Sequence, residues 1–411
     1  MTASMNALPP TSPPLLRPGA VIHGPGSEHI DSLLDRFATE LKRRGFRVGG
    51  VVQRNYGSRD DCSDQMEMVD VATGRAFGIS QNLGRESRAC RVDPSGVADA
   101  SQAIRRAIAE RADLIVVNKF AGLEAHGEGL SDEMLTAISE GIPVLTSVGS
   151  RFINEWQSFA GGYADLLSPD IDSLWRWWGP HRLYEDLALG VEDAEVRRIV
   201  IGAKWIMVET TAGAVGLAAR PSAAEPSAPE SRTGGSLKAL AMQAARSWDT
   251  LEIAIGVAAL NAHHNHAGQT GAATNGLDLY ADAEGRVVVI GGFPQIAQRL
   301  PRAQVIEIDP RPGEYPEAAC EWLLPGADAV AVTASSLANR TLPRLLAAGR
   351  GARVALIGPG TPLTPRLFDY GIETLCGFVP VDVPALVEAI LAGGSSKQFH
   401  KHGRFVTLHR S

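Results

Sequence analysis

The sequence is poor in cysteine, carries no excess of positive charge, has no long apolar run, and contains no complete nucleotide- or metal-binding signature. Its four cysteines, Cys62, Cys90, Cys320 and Cys376, are widely separated. They form neither a CxxC metal pair nor a disulfide framework, which fits a reducing compartment. The net charge of −7 removes the electrostatic basis for general nucleic-acid binding. The most apolar run, Ile253 to Leu260, is too short to cross a bilayer. Met1 to Pro18 is rich in Pro, Ser and Thr but lacks a basic n-region and an apolar h-region, so it reads as a disordered leader rather than a signal peptide. These absences point to a cytoplasmic chain that meets neither nucleic acid nor membrane, with a homodimer left open.

What is present is ordinary globular composition. Hydrophobic residues make up 45% of the 411 positions and charged residues 21%, enough for two or three domains with cores that need no disulfide staples. From Gly19 apolar runs alternate with helix-period segments. Ala20 to His23 reads as a strand, and Ile30, Leu33, Leu34, Phe37 and Leu41 share a helix face for which Ser27 is a candidate cap. Val48 to Val52, Asp113 to Asn118 and Pro143 to Thr146 continue the strands, with a hairpin expected at Met66–Val71 and Arg75–Ile79. Such alternation predicts α/β architecture with mostly parallel sheets. An aromatic cluster, Trp175, Trp177, Trp178 and Tyr184, marks the expected domain boundary, its rings packing one domain's end against the next.

The second half opens as an α+β piece. It has strands at Arg198–Ile201, Trp205–Thr210 and Val215–Ala218, then helices at Leu237–Ala245 and Thr250–Ala262, the latter with Ser247 as its candidate cap. A second parallel unit follows, with strands at Val287–Ile290, Gln304–Ile308, Ala329–Val332, Val354–Ile357 and near Thr374, and a helix at Leu337–Ala347. The basic segment Lys397–Arg410, with His400 and His402, reads as a solvated tail. The expected divisions are a leader over 1–18, a P-loop-like domain over 19–170, an α+β subdomain over 181–270 with a mobile loop at 221–235, and a Rossmann-like domain over 271–411.

In the first domain, the turn His23 to His29 stands where a phosphate-binding loop would stand. It lacks the terminal Gly-Lys-Ser/Thr in which the lysine neutralises the β/γ-phosphates. Backbone amides near Gly26 and Ser27 remain able to hold an anion. Val117-Asn118-Lys119-Phe120 ends a strand, where α/β proteins bind ligands; Asn-Lys resembles part of a guanine-reading motif whose Asp would fall at Ala121. Glu124 is the first residue to test here, against the alternative of a solvated loop. Arg43 to Gln53, Cys90 to Pro94, and Val117 to Phe120 with Glu124, Gly127 and Gly129 resemble an uncharacterised bacterial P-loop-like, nucleotide-binding family associated with molybdenum handling. The resemblance covers about Pro18 to Asp165 and implies a P-loop-derived fold. It includes Cys90 and Asp93, which alone read equally as a buried thiol and a turn cap.

In the second half, His263 and His266 are three residues apart and form a candidate metal pair without a third ligand. Histidines near a helix C-terminus also simply favour its dipole. The Gly291-Gly292 turn lacks a full GxGxxG. Glu307 ends the next strand, placed either to accept from a sugar hydroxyl or ligate a metal, or to pair with Arg311. With Asn261, Phe293, Thr333, Asn339, Thr341, Gly358 and Thr361, these residues form the candidate ligand set at one sheet edge. Ser247-Trp248, Gly256 to Asn261, Gly292-Phe293-Pro294, Glu307, Thr333, Asn339, Thr341 and Gly358 to Pro362 resemble the heavy-metal-chelation family. The match spans about Leu183 to Phe405. It implies an enolase-N-like α+β subdomain joined to a Rossmann-like domain, with the ligand in the cleft between the two subdomains. A heavy metal or molybdate is the implied cofactor, and an enzyme acting on a nucleotide-like or other small metabolite is the alternative.

Overall fold

The computed structural model describes residues 16–24, 29–56, 65–80, 93–221, 230–274, 276–399 and 401–410. Gly26, Ser27, Cys62, Cys90 and His400, and most of the expected leader and mobile loop, lie outside them. The chain divides after Trp178 into two compact units. Both are mixed α/β, with parallel strands at the centre of the main sheets, as the alternating pattern predicts. No helix among the described residues is long and apolar enough to cross a membrane.

The N-terminal unit is built on one seven-stranded sheet. Its strands are β1 (Gly19–His23), β2 (Val48–Tyr56), β3 (Gln65–Asp70), β4 (Ala76–Gly78), β5 (Leu114–Phe120), β6 (Val144–Gly149) and β7 (Asp165–Leu167), in the order β4-β3-β2-β5-β6-β1-β7. β3 and β4 form the expected hairpin, antiparallel at the β2 edge, and the other strands run parallel. Leu114-Ile115-Val116-Val117 is wholly buried, as a strand covered on both faces requires. Helices α1 (Ile30–Arg44), α2 (Pro94–Ala109), α3 (Gly122–Ala125), α4 (Ser131–Ser139), α5 (Ile153–Phe159) and α6 (Ile171–Trp178) complete the unit. Val97, Ala100 and Ile104 of α2 and Met134 of α4 join Ile115, Val117 and Val148 in one core cluster.

The aromatic cluster is shared between the two units, which divide after Trp178. Trp175 and Trp178 meet Phe37 edge-on at 5.2 and 6.4 Å, and Trp178 meets Phe46 at 5.2 Å. Trp177 donates to the Arg17 carbonyl. All three tryptophans therefore serve the N-terminal unit. Tyr184 is buried in the other unit and donates to the Leu337 carbonyl. The eight-residue helix α6 sets its rings on the face that α1 leaves apolar, so these rings help close the core of the N-terminal unit.

The C-terminal unit has two sheets. The smaller is antiparallel, with β8 (Val196–Ile201), β9 (Trp205–Thr210), β10 (Val215–Ala219) and β11 (Glu230–Arg232) in the order β10-β9-β8-β11. β11 falls within the stretch expected as loop, and its backbone pairs with β8. After α7 (Leu183–Leu189), the helices α8 (Leu237–Arg246) and α9 (Thr250–His264) pack as a pair, α9 lying against β9 and β10. α9 is capped by Asp249, which accepts from the amides of Leu251 and Glu252, rather than by Ser247, whose hydroxyl bonds Glu252. Eleven of its residues are buried, so this helix is apolar on nearly all sides.

The larger sheet contains β12 (Val287–Ile290), β13 (Gln304–Glu307), β14 (Tyr315–Pro316), β15 (Ala329–Thr333), β16 (Arg353–Ile357), β17 (Thr374–Pro380) and β18 (Gly403–His409). Their order is β14-β13-β12-β15-β16-β17-β18, parallel except for β18. The expected basic tail is thus a strand over Gly403–His409, antiparallel to β17, with Val406 and Thr407 buried. Pairing with β17 satisfies its backbone, and Phe405, Val406, Thr407 and Leu408 at its centre favour the strand. The expected single helix Leu337–Ala347 is also broken: residues 335–338 and 342–348 are helical, with Arg340 at φ +60° between them. Asn339 Oδ1 accepts from the Thr341 amide and hydroxyl, and this local turn competes with continued helix.

Candidate functional site

In the larger sheet the chain leaves β12 for β13 and β14 on one side, then returns to β15 on the other. The point of reversal lies between β12 and β15, and the carboxyl ends of these strands are where open α/β sheets bind ligands. Gly291 follows β12 with φ +99°, and a Cβ on it would lie 2.5 Å from Thr333 Cγ2. A Cβ on Gly292 would lie 2.5 Å from Glu307 Oε1. The absence of side chains at these two positions brings the turn against the ends of β13 and β15. The Thr333 and Ser335 hydroxyls lie 2.8 Å apart. A Cβ on Gly358 would approach Ala334 Cβ at 3.3 Å, which places the end of β16 beside them. Glu307 Oε2 accepts from the Ile308 amide, and no ion pair engages Glu307 among the described residues. It does not pair with Arg311, whose amide donates to Glu314.

The structure therefore groups Gly291, Gly292, Glu307, Thr333, Ser335 and Gly358. Phe293 packs partly against the core of this sheet. Asn339 and Thr341 are occupied with the turn before the following helix. Asn261 and Thr361 are fully buried. Asn261 Nδ2 donates to the carbonyls of Leu217 and Gly360 at 2.7 and 2.8 Å, and Thr361 Oγ1 donates to the Leu356 carbonyl. One turn later, Asn265 Nδ2 donates to the Thr361 and Phe378 carbonyls while its Oδ1 accepts from the Leu363 amide. Two asparagines four apart thus fasten α9 to the loop after β16. The signal was an amide pair at helical spacing beside an otherwise apolar run.

Among the described residues no group of three or more His, Cys, Asp or Glu is arranged to hold a metal ion, so His263 and His266 acquire no third ligand there. The inward histidine of the run is His264, 8% exposed, with its Nε2 unpartnered among the described residues. Burial, followed by repulsion from His263, depresses its pKa to about 3. The folded state keeps it neutral while the unfolded chain takes up a proton once the pH falls below the usual imidazole range. Stability present above about pH 6.5 is then lost progressively toward pH 3, at up to about 1.4 kcal/mol per pH unit. His264→Phe is expected to flatten that dependence, as read by urea unfolding at pH 7.5, 6.0 and 5.0. Parallel curves for the two proteins would contradict this assignment.

In the N-terminal unit, Asn118 is fully buried: Nδ2 donates to Asp31 and Oδ1 accepts from the Ser147 hydroxyl. Glu124 is 5% exposed and accepts from the Ala121 and Leu130 amides, fastening the 121–130 loop. Burial raises its pKa. Asp93 caps α2 through Ser95. Between Val117 and Phe120 on β5, three steps of chain oppose two on β6, from Thr146 to Val148. This bulge buries Asn118 and turns Lys119 outward. Beside it, at the ends of β1, β5 and β6, is a cleft of about 350 Å³ lined by His23, Gly24, Lys119, Phe120, Ala121 and residues 149–152. Arg151 was not singled out from sequence. Its signal was the rule already applied to Asn118, a polar residue just beyond a parallel strand.

The fold is that of a two-unit α/β protein whose C-terminal unit carries a parallel sheet with a switch point between β12 and β15. Within that unit, residues 184–264 match the family model DUF4213 and residues 275–409 the model DUF364, both described as "putative heavy-metal chelation". Residues 19–177 match DUF2478, a family of unknown function. The N-terminal region is similar to the molybdenum import ATP-binding protein ModC 2 of Bradyrhizobium diazoefficiens, 44% identical over 162 residues. That match covers 39% of this chain and only 18% of the relative's length. A solved protein of unknown function from the DUF364 family of Desulfitobacterium hafniense is similar at 29% identity and a TM-score of 0.50, over 56% of this chain and 98% of that one. A second, from Pyrococcus horikoshii, has 22% identity and a TM-score of 0.48, over 56% and 99%.

Proposed function

We propose that this protein handles a metal or oxyanion, in heavy-metal or molybdenum homeostasis or cofactor delivery, and binds its ligand in the crevice beside Glu307. The observation that carries the reading is the meeting of Gly291-Gly292, Glu307, Thr333 and Ser335 at the switch point of the larger sheet. The heavy-metal-chelation families and the likeness to a molybdenum import protein support the metal side of it.

The residues present do not fit a soft heavy-metal ion held by protein ligands alone. The crevice offers oxygen donors, whereas soft ions select thiolate or imidazole. Cys320 and Cys376 are buried and their thiol pKa values are raised by burial, which opposes the thiolate form. The oxygen-lined turn instead suits a ligand whose hydroxyl or amine groups donate to Glu307.

Native mass spectrometry with elemental analysis of tag-free protein tests this reading directly. The expected result is a bound species containing metal or molybdenum, with Glu307→Gln weakening its binding about tenfold or more, the scale of a hydrogen bond to a charged acceptor. A protein that carries and titrates neither metal nor molybdate would sink the reading. A second reading, an enzyme acting on a nucleotide-like metabolite, draws on Glu307 ending the strand next to the Gly turn, where dinucleotide folds hold a ribose hydroxyl. It wins if nucleotides or related metabolites alone raise the melting temperature.

A further inference from the structure

We propose that the outer border of the larger sheet, at β13 and β14, is the surface through which two copies of this chain associate. Three large apolar side chains stand open to solvent there. Trp322 is 72% exposed, Ile308 65% and Tyr315 41%. β14 pairs with β13 through Ile306–Tyr315 and Glu307–Pro316, which holds Ile308 and Tyr315 within two residues of one another across the ladder. The turn at Glu317–Ala319 then leads into a four-residue helix, Cys320–Leu323, that buries Cys320 and leaves Trp322 outside. Pro310, Pro312 and Pro316 are exposed beside them. Side chains so placed add little to this chain's own core, and only a partner removes their apolar surface from water.

Area, charge and backbone chemistry select a second copy as that partner. Trp322, Ile308 and Tyr315 together expose on the order of 400 Å², about half of what each side of a standard interface contributes. The prolines extend this area, and aromatic anchors ringed by lesser contacts are the usual centre of such an interface. Charges of both signs lie along the same border: Arg311 with Asp309, Glu314 and Glu321, while Arg344 pairs with Glu317. A two-fold rotation permits Arg311 of one copy to meet Glu321 of the other, as a self-complementary surface requires. The excess of carboxylates is repelled by an anionic membrane. Nor does the border template a peptide strand, because β14 has two residues and Pro316 has no N–H to donate. The contact is therefore side-chain packing across a closed pair, and it does not depend on what binds beside Glu307.

The test is sedimentation velocity with light scattering of the full chain at micromolar concentration, with circular dichroism as the check on folding. The expected mass is that of two chains, falling toward one on dilution. Trp322→Glu and Ile308→Glu should each raise the dissociation constant about thirtyfold or more, the scale of an interface hot spot. The double variant should run as a single chain throughout. Its circular dichroism spectrum should match the native one, because both side chains are exposed. Val381→Glu is the control: that side chain is 70% exposed beyond β17, toward the opposite border of the sheet, and the pair should survive its replacement. A native chain that stays single, a pair that persists in the double variant, or a pair lost equally in Val381→Glu overturns the proposal.

Discussion

Replacing Gly216 with alanine is expected to destabilise the C-terminal unit by about 3 kcal/mol or more, the upper end of overpacking penalties. Gly216 lies on β10 where α9 crosses it. A Cβ there would overlap the Ala262 amide nitrogen, the Ala258 carbonyl oxygen and the Asn261 carbonyl carbon. These are backbone atoms of a helix, so no side chain can turn aside to make room. The helix itself must retreat, and with it Asn261 and Asn265. Urea unfolding monitored by circular dichroism should show a lower midpoint, and hydrogen exchange should show loss of protection along α9. A loss below about 1 kcal/mol would mean that this helix–sheet contact tolerates more separation than its geometry implies.

Asn265→Ala is expected to cost a similar amount, about 3 kcal/mol, by a different route. The side chain closes three hydrogen bonds, to the Thr361 and Phe378 carbonyls and from the Leu363 amide, all in buried surroundings. Truncation leaves all three backbone groups without partners, each at about 1 kcal/mol or more. The local consequence is as diagnostic as the total. The Leu363 amide should exchange faster, and the loop beside Gly358 should loosen. Aspartate at this position should rescue only the bond from Leu363, because a carboxylate cannot donate to two carbonyls. If Asn265→Asp were as stable as the native protein, the assigned amide orientation would be wrong.

The layered α/β plan was readable because buried parallel strands write themselves as unbroken apolar runs, Leu114 to Val117 and Val287 to Ile290 among them. The strand at Gly403–His409 was hidden by its flanks: Phe405 to Leu408 are strand formers, but the basic residues and histidines around them read as a solvated tail, and pairing with β17 shows the strand. The break at Arg340 depends on a side-chain bond from Asn339, which no periodicity displays.

For the crevice, the rule that ligands gather at strand ends selected Gly292, Glu307, Thr333 and Gly358. It could not separate them from Thr361, Asn339 and Thr341, polar residues from the same segments whose hydroxyl or amide oxygens are bonded inside the fold, nor from Asn261, whose Nδ2 is spent on two carbonyls while its buried Oδ1 has no partner among the described residues. Strand order decides which loop ends face each other, and that order is a property of the folded sheet. Glu124 illustrates the same limit. Its place in a loop allowed a ligand or a solvated surface, and the structure gives it backbone amides to accept from.

The irregularity in β5 also has a consequence for change over time. An ordinary strand couples each position to the core by strict alternation, so altering a side chain there risks the packing on one face or the other. Where one strand carries an additional residue, that coupling is released at one site. Position 119 is exposed beside the cleft, while Asn118 and Phe120 on either side stay buried in the sheet. Its length and charge are therefore free to vary at little structural cost.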